Sequence, residues 1–222
     1  MNYFFMTEQK KQWYDLWFDS PLYHILYKNR DKEEAEHFID AVIKYLNITS
    51  GSILDLACGK GRHANYLAEK GLEVVGLDLS KESIHYASAA YTLSNLEFYV
   101  HDMRQPFRVN YFDYIFNFFT SIGYFDDLKE NEKVFSNMHN GLKDNGYILI
   151  DFMNAEKAIK NLVPRETKII DGYNFYIRRE VENGKIIKNI KIEKDEKVWL
   201  YSEEVQALKQ HHFHTFLNDT GF

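Results

Sequence analysis

The feature that most constrains this sequence is a glycine-rich segment between a predicted strand and a predicted helix. Residues 52–57 form a short apolar run that predicts a strand, and residues 62–70 predict a helix that Gly71 ends. The turn between them reads Ala57-Cys-Gly-Lys-Gly61. Glycine allows the backbone to take positive φ and to approach a ligand closely, and the free N–H groups of the following helix favour a negative group. The segment therefore predicts a nucleotide-type site at a strand end.

The chain around this segment predicts alternating strands and helices. Residues 33–46 carry apolar side chains at three- and four-residue spacing, as an amphipathic helix does. Ser80 is a plausible N-cap for a later helix. Other strands are predicted at residues 72–77, 96–100, 111–119 and 147–152, with a helix at 128–142. This alternation predicts an α/β fold with a doubly wound, mostly parallel sheet.

The pattern changes after residue 164. Residues 168–200 hold several short β-prone runs, and Asn183-Gly184 is a hairpin signal, so a small antiparallel β insertion is predicted. Residues 203–218 predict a last helix. The predicted organisation is an N-terminal helical cap (1–48), a ligand-binding core (49–155), the insertion as a cover over the substrate (165–200) and a C-terminal helix that rejoins the core (201–222).

Composition limits the classes of partner. Thirty-three acidic residues outnumber 27 basic ones, and the net charge of -6 disfavours a nucleic-acid substrate. No apolar run approaches the roughly 20 residues that span a bilayer, and no signal peptide is evident, so we expect a cytoplasmic protein without a membrane partner, as a monomer or homodimer. No metal site is predicted, because the one- and two-residue spacing of His211, His212 and His214 does not place them on one helical face. Cys58 is expected to be a small buried residue.

Three acidic residues accompany the glycine turn. Asp55 precedes it, Asp78 ends the second strand, and Asp102 follows the third. Gly59 to Ala64 formally fits a dinucleotide fingerprint, yet Asp55 would repel a diphosphate and attract an ammonium. Asp78 could accept both ribose hydroxyls, and Asp102 could meet an adenine amino group. Simpler structural interpretations stay open: a turn that needs glycine, a helix cap at Asp78 and a loop acid at Asp102.

These motifs together resemble those of the class I (Rossmann-like) S-adenosylmethionine (SAM)-dependent methyltransferases. The resemblance covers residues 33–152, with matches at 54–63, 76–80, 101–104 and 117–125. Residues 23–30 and the insertion resemble a small-molecule subgroup more loosely. The resemblance implies SAM as cofactor and in-line methyl transfer to an N- or O-nucleophile of a small molecule. Family members usually continue beyond the last helix into two further strands, so the final C-terminal strands are expected to be absent here.

The resemblance also implies roles for particular residues. Tyr27 and Arg30 would belong to a lid that reaches the carboxylate of the methyl donor. A general base, if one is used, would be His24, Tyr124 or Asp151. Two other functions remain open: an NAD(P)-binding Rossmann oxidoreductase and a non-catalytic SAM-binding module. The remaining predicted donor contacts are Asp55, Ala57, Gly59, Gly61, Arg62, Asp78, Leu79, Asp102, Met103, Asn117 and Phe118.

Overall fold

A five-stranded parallel sheet forms the centre of the fold. The computed structural model describes residues 12–28 and 32–222, so Arg30 lies outside the described residues. The strands are β1 (Ser52–Leu56), β2 (Glu73–Asp78), β3 (Leu96–Val100), β4 (Phe112–Asn117) and β5 (Leu142–Ile150). They lie in the order β3-β2-β1-β4-β5, and every neighbouring pair is parallel. The chain adds β2 and β3 on one side of β1, and then β4 and β5 on the other side. This order is that of a doubly wound sheet and confirms the predicted fold class.

Helices cover both faces of this sheet because successive strand residues point to opposite sides. Ile53 packs with the helices at Lys32–Leu46 and Arg62–Glu69, whereas Leu54 and Leu56 pack with those at Leu128–Gly141 and Gln210–Thr220. No helix in the described parts of the chain is long and apolar enough to cross a membrane. The helices are α1 (Trp13–Trp17), α2 (Pro21–Leu26), α3 (Lys32–Leu46), α4 (Arg62–Glu69), α5 (Lys81–Ala90), α6 (Leu128–Gly141), α7 (Ala155–Lys160) and α8 (Gln210–Thr220).

The second sheet is antiparallel and confirms the predicted β insertion. Its strands are β6 (Arg165–Ile170), β7 (Tyr173–Glu182), β8 (Lys185–Lys194) and β9 (Lys197–Gln206), in that spatial order. Asn183 and Gly184 both have positive φ, as a two-residue hairpin loop requires. Trp17 of α1 and Leu22 of α2 pack on Phe175 of this sheet in a separate apolar core. The N-terminal helices α1 and α2 are thereby fixed to the antiparallel sheet.

The prediction of a last helix from residue 203 is wrong. Residues 203–206 belong to β9, and the helix begins at Gln210. Glu203 pairs across the sheet with Lys188, and their side chains form an ion pair at 3.2 Å. These cross-strand contacts, invisible to local sequence patterns, outweigh the helical tendency of the segment. The predicted domain boundaries are otherwise not tested by the structure and stay predictions.

The aromatic ring of Phe98 explains two glycines near the predicted ligand turn. A Cβ atom on Gly76 would lie 2.6 Å from the Phe98 ring, and one on Gly61 would lie 2.5 Å from it. Gly61 also has a φ of 76° and caps the N-terminus of α4. Both glycines thus leave room for a ring that packs between α4, α5 and the sheet.

We predict that Gly76→Ala lowers the free energy of unfolding by about 1–3 kcal/mol, because the added methyl overlaps the Phe98 ring. The cost should shrink when Phe98 is shortened to leucine. Urea unfolding of the two single variants and the double variant measures this coupling, which we expect to exceed about 0.5 kcal/mol. Strictly additive changes would show that the ring is not the obstacle.

Candidate functional site

A cavity of about 770 Å³ lies at the carboxyl ends of the parallel strands. It is roofed by α1 and α2 and closed on one side by β9. This edge of an open α/β sheet is where ligands bind in such folds. Thirteen of the residues predicted from the sequence line the cavity: His24, Tyr27, Asp55, Ala57, Gly59, Arg62, Asp78, Leu79, Asp102, Met103, Phe118, Tyr124 and Asp151.

Gly59 borders the cavity directly. Its φ is 55°, and a Cβ atom there would meet no atom within 4 Å, so the backbone is open toward the cavity. Ala57 also has a positive φ of 65°, a costly conformation for a residue with a side chain. Gly61 is not among the cavity-lining residues, since its missing side chain makes room for Phe98 instead. The two glycines of the turn therefore serve different purposes.

The carboxylate of Asp78 connects the two turns that follow β1 and β2. One oxygen accepts a hydrogen bond from the Gly59 N–H at 2.8 Å, and the other accepts one from the Ser80 N–H at 2.8 Å. Burial raises the pKa of Asp78, while these two donors counteract the rise. Ser80, not Asp78, caps α5, because its hydroxyl accepts the Ser83 N–H. Asp78 is thus left with acceptor capacity on the cavity side.

Asp55 is a buried carboxyl group at the wall of the cavity. Its side chain is 1% exposed, and Oδ2 has no hydrogen-bond partner among the described residues. Burial, together with the nearby charge of Asp78, raises the pKa of Asp55 to about 7. The backbone N–H of Ala64 and the charge of Arg62 only partly offset this effect. A buried carboxyl oxygen facing a cavity without a partner is costly unless a ligand supplies a donor.

Asp102 is held by a cation that the sequence interpretation did not single out. Burial raises its pKa, but hydrogen bonds from Arg104 outweigh this effect and lower it. The Arg104 side chain meets both carboxylate oxygens, at 2.6 Å for the nearest contact, and also reaches Glu130 at 3.2 Å. The guanidinium lies 4.9 Å from the centre of the Phe125 ring. Asp102 therefore lines the cavity in a fixed orientation.

Asn117 lies beside the cavity and is not among the residues that line it. Its side chain is 1% exposed, and Nδ2 donates to the Leu56 carbonyl at 2.8 Å. The amide therefore joins the ends of β4 and β1. Its Oδ1 atom has no partner within the described part of the chain.

The loop after β4 has an unusual backbone. Phe119 and Thr120 have φ values of 57° and 56°, a left-handed conformation that is unfavourable for residues with side chains. Asp151, at the end of β5, accepts the Phe119 N–H at 3.1 Å through its carboxylate and the Thr120 N–H through its backbone carbonyl. The Thr120 hydroxyl in turn accepts the Met153 N–H. These bonds fix the loop against β5 at the cavity wall.

Two of the predicted base candidates come from the roof and this loop. Burial, assisted by the charge of Lys60, lowers the pKa of His24 to about 4, so its imidazole is neutral at pH 7. The Tyr124 ring packs against Trp13 at 5.1 Å and Phe18 at 5.5 Å. The structure thus brings His24, Tyr124 and Asp151 to one cavity, although they lie far apart in the chain.

Glu203 of β9 is a cavity residue that sequence reasoning missed. It accepts hydrogen bonds from the Trp17 indole at 2.7 Å and the Tyr27 hydroxyl at 2.6 Å, and it pairs with Lys188. Asp19, another missed residue, accepts a hydrogen bond from the Ser80 hydroxyl. These contacts join the roof to both sheets. No local motif marks them, because the partners in the roof contacts are separated by 61 to 186 residues.

A buried amide pair supports the same wall. Asn131 is fully buried, and its Nδ2 donates to the Gln206 side chain at 2.7 Å while its Oδ1 accepts the Gly123 N–H at 3.0 Å. Gln206 and Gly123 are also joined through their backbones at 2.8 Å. The network connects α6, the end of β9 and the loop that carries Tyr124.

Comparison with known proteins assigns this architecture to a family. Residues 49–221 match a family model described as a methyltransferase domain. The chain is 34% identical over 119 residues to the Bacillus subtilis (strain 168) protein named "Putative methyltransferase YqeM", which covers 53% of this chain and 48% of that protein. It is 25% identical over 132 residues to a Streptomyces venezuelae dTDP-3-amino-3,4,6-trideoxy-alpha-D-glucopyranose N,N-dimethyltransferase, covering 59% and 55%. The chain spans about half the length of these curated relatives.

The fold is also shared with a solved structure. A S-adenosylmethionine-dependent methyltransferase from Clostridium acetobutylicum ATCC 824 superimposes with a TM-score of 0.73 over 90% of this chain and 84% of that one. The two sequences are 21% identical. The likeness therefore shows a common fold.

We predict that Asp55→Asn changes how stability depends on pH in the protein without ligand. The folded pKa of about 7 exceeds the ordinary value of 3.8, so wild-type stability falls as pH rises from about 4 to about 7. The variant lacks this loss and should gain on the order of a few kcal/mol relative to wild type between pH 4 and pH 8. Urea unfolding at both pH values measures it.

The matched control is Asp144→Asn, which removes an exposed carboxylate from the far end of β5. Its stability should follow the wild-type pH profile. If Asp55→Asn follows that profile as well, the interpretation of Asp55 as a strained buried acid is wrong.

Proposed function

Because the chain belongs to the methyltransferase-domain family, we propose that it transfers a methyl group from SAM to a small-molecule acceptor. The observation that carries the proposal is the buried Asp55 oxygen without a partner, which lines the same cavity as Gly59 and Asp78. A carboxylate in this position favours a cationic group. SAM has an α-ammonium, a sulfonium and a ribose, which these residues suit.

The cavity residues suggest how the donor would bind. We assign its ammonium to the neighbourhood of Asp55, its ribose hydroxyls to Asp78 and its adenine to the end that holds Asp102. Carboxylates accept two hydroxyls well, and the raised pKa of Asp78 would fall once those donors bind. The other proposed contacts are those cavity residues that border these three positions: Ala57, Gly59, Arg62, Leu79, Met103 and Phe118.

The lid assignment is less direct. Arg30 lies outside the described residues, and the Tyr27 hydroxyl donates to Glu203. Tyr27 still lines the cavity, so its ring could cover the donor while its hydroxyl fixes the roof. Gly61 and Asn117 would act indirectly, by shaping the turn and the strand ends.

A dinucleotide fits this cavity poorly. Its diphosphate would approach a turn that is flanked by the buried Asp55 and the half-buried Asp78, with Asp19 nearby. Like charges in a poorly solvated site are strongly unfavourable. A module that only binds SAM would not need the second half of the cavity, which extends to β5 and β9. The dinucleotide alternative can be tested by thermal-shift measurements with SAM and with NAD. The binding-only alternative is tested by incubation with SAM and a metabolite extract, because a module without activity would form no S-adenosylhomocysteine.

Bound SAM supplies a methyl group that is already activated by the sulfonium. The protein then has to align an acceptor nucleophile with that methyl and exclude water, which the roof of α1 and α2 would do. A base is required only when the nucleophile must lose a proton. Asp151 and Tyr124 remain candidates, whereas the low pKa of His24 makes it a weak base. Cytoplasmic location and the state of a monomer or homodimer stay predictions.

We predict that Asp78→Ala lowers the affinity for SAM by at least about 100-fold, because both ribose hydroxyls lose their acceptor and the Gly59 N–H loses its partner. Isothermal titration calorimetry with SAM measures this. Asp78→Asn keeps an acceptor but no charge, so its affinity for SAM should lie between those of wild type and Asp78→Ala. Asp144→Ala should bind SAM as wild type does. Unchanged affinity in Asp78→Ala would contradict the ribose assignment.

We also predict that SAM binding releases protons in mildly acidic solution. Asp55 is largely protonated below its pKa of about 7, and a neighbouring ammonium would ionise it. The release should be largest near pH 6 and vanish near pH 8.5, where Asp55 is already ionised. Calorimetry at each pH in two buffers of different ionisation enthalpy measures the protons.

Asp55→Asn is the control for this linkage. In this variant most of the proton release on SAM binding should disappear. The remaining protons would come from Asp78, whose pKa is also raised. Tight SAM binding at pH 6 with no proton release in wild type would place the ammonium away from Asp55.

A further inference from the structure

The strand order divides the cavity into two chemically different ends. The ends of β1, β2 and β3 supply Asp55, Asp78 and Asp102, where the proposed function places the methyl donor. The other end is bounded by the loop after β4, by β5, by β9 and by α1 and α2. An acceptor must enter this second end to meet the methyl group. The inference below therefore rests on the proposed function and concerns the kind of acceptor that this end fits.

Carboxylates predominate at the acceptor end. Asp151 has the Phe119 N–H as its hydrogen-bond donor and no cationic partner among the described residues. Glu203 is balanced by Lys188 and accepts two further donors from the roof. Asp151 is therefore the carboxylate whose charge is not offset.

The cations near the same end are engaged by other groups. The Lys28 ammonium pairs with Asp171 at 2.7 Å, and the Arg62 guanidinium, 5.0 Å from the centre of the Phe119 ring, pairs with Glu34 at 3.2 Å.

Lys60 lies near His24, and its ammonium is 4.7 Å from the centre of the Tyr86 ring. His24 adds no charge, since burial and the nearby Lys60 lower its pKa to about 4. A phosphate or carboxylate on the acceptor would meet the Asp151 carboxylate, while each of these cations already has a partner, and like charges at close range are costly.

Aromatic rings form much of the remaining wall. Trp13, Phe18 and Tyr124 pack against one another, and Phe18 also meets Tyr23 edge to face at 5.1 Å. All four line the cavity. The faces of aromatic rings attract cations, and they do so more strongly in poorly solvated sites. The rings and Asp151 thus favour the same class of ligand.

We propose that the acceptor is a small amine that carries no phosphate or carboxylate group. It enters as an ammonium drawn by Asp151 and the aromatic wall, and it loses one proton to solvent. The nitrogen lone pair then forms the new N–C bond while the C–S bond breaks and sulfur keeps its electron pair. The products are a methylated ammonium, S-adenosylhomocysteine and one proton.

This acceptor differs from the one in the name of the Streptomyces venezuelae relative. That name describes an amino sugar linked to dTDP, which carries a diphosphate. A diphosphate requires several cationic or N–H donors, and the described cations near the acceptor end already have partners. The proposed acceptor and that amino sugar both contain an amine, whereas only the amino sugar carries a diphosphate.

The test uses a metabolite extract separated by ion exchange into cationic, neutral and anionic pools. Each pool is incubated with the protein and SAM labelled at the methyl group, and label in small-molecule products is counted. We expect label from the cationic pool at a rate at least about tenfold above the other pools. Label mainly from the anionic or the neutral pool would overturn the amine proposal while leaving methyl transfer intact. No label from any pool, with SAM bound, would overturn the proposed function itself.

A variant pair tests the role of Asp151. Asp151→Asn should lower labelling from the cationic pool by about tenfold and leave SAM affinity within about twofold of wild type. Asp144→Asn removes a carboxylate from the same strand far from the cavity and should leave both unchanged. Equal labelling by Asp151→Asn and wild type would show that Asp151 does not recognise the acceptor. A parallel loss of SAM affinity in Asp151→Asn would also contradict the proposal, since it would place this carboxylate at the donor.

Discussion

The two hydrogen bonds that the Asp78 carboxylate accepts organise the whole ligand side of the molecule. One fixes the glycine turn after β1, and the other fixes the start of α5 through Ser80. The Ser80 hydroxyl then donates to Asp19 in the roof, so the roof is positioned from the same point. A chain of three residues thus joins the core sheet, a helix N-terminus and the cover of the cavity. Disturbing its first member would alter ligand contacts and roof position together.

This arrangement has an electrostatic cost in the absence of ligand. Asp55 is buried and Asp78 half-buried. Desolvation and the charge of Asp78 raise the pKa of Asp55, and desolvation and the charge of Asp19 raise the pKa of Asp78. Folded proteins tolerate such clusters where ligand binding supplies a compensating free energy. A cationic donor would ionise the acids and supply the missing hydrogen-bond donor for Asp55. At Asp55 and Asp78, the side chains that suit the ligand therefore lower the stability of the protein without ligand, as at many functional sites.

The donor end could be predicted from the sequence because its residues lie next to local signals. Asp55 and Asp78 end strands that apolar runs reveal, and Gly59 lies in the turn between a strand and a helix. The acceptor end could not be predicted in the same way. Glu203 meets Trp17 across 186 positions, and Asn131 meets Gln206 across 75. Even the helix predicted from residue 203 was wrong, because the cross-strand pairing with Lys188 decides that segment.

Under the proposed function, the same distribution of contacts would separate donor binding from acceptor choice. The donor end depends on the strand order and on hydrogen bonds of the backbone, both of which belong to the fold itself. The acceptor end depends on side chains from α1, α2, the loop after β4, β5 and β9, which are far apart in the chain and close together in the fold. The Asp151 carboxylate accepts the Phe119 N–H and makes no hydrogen bond with Asp55 or Asp78 among the described residues. Under the proposed function, substitutions at Asp151 would change which molecule is methylated while Asp55 and Asp78 keep their geometry, and this independence would allow one fold to serve different acceptors.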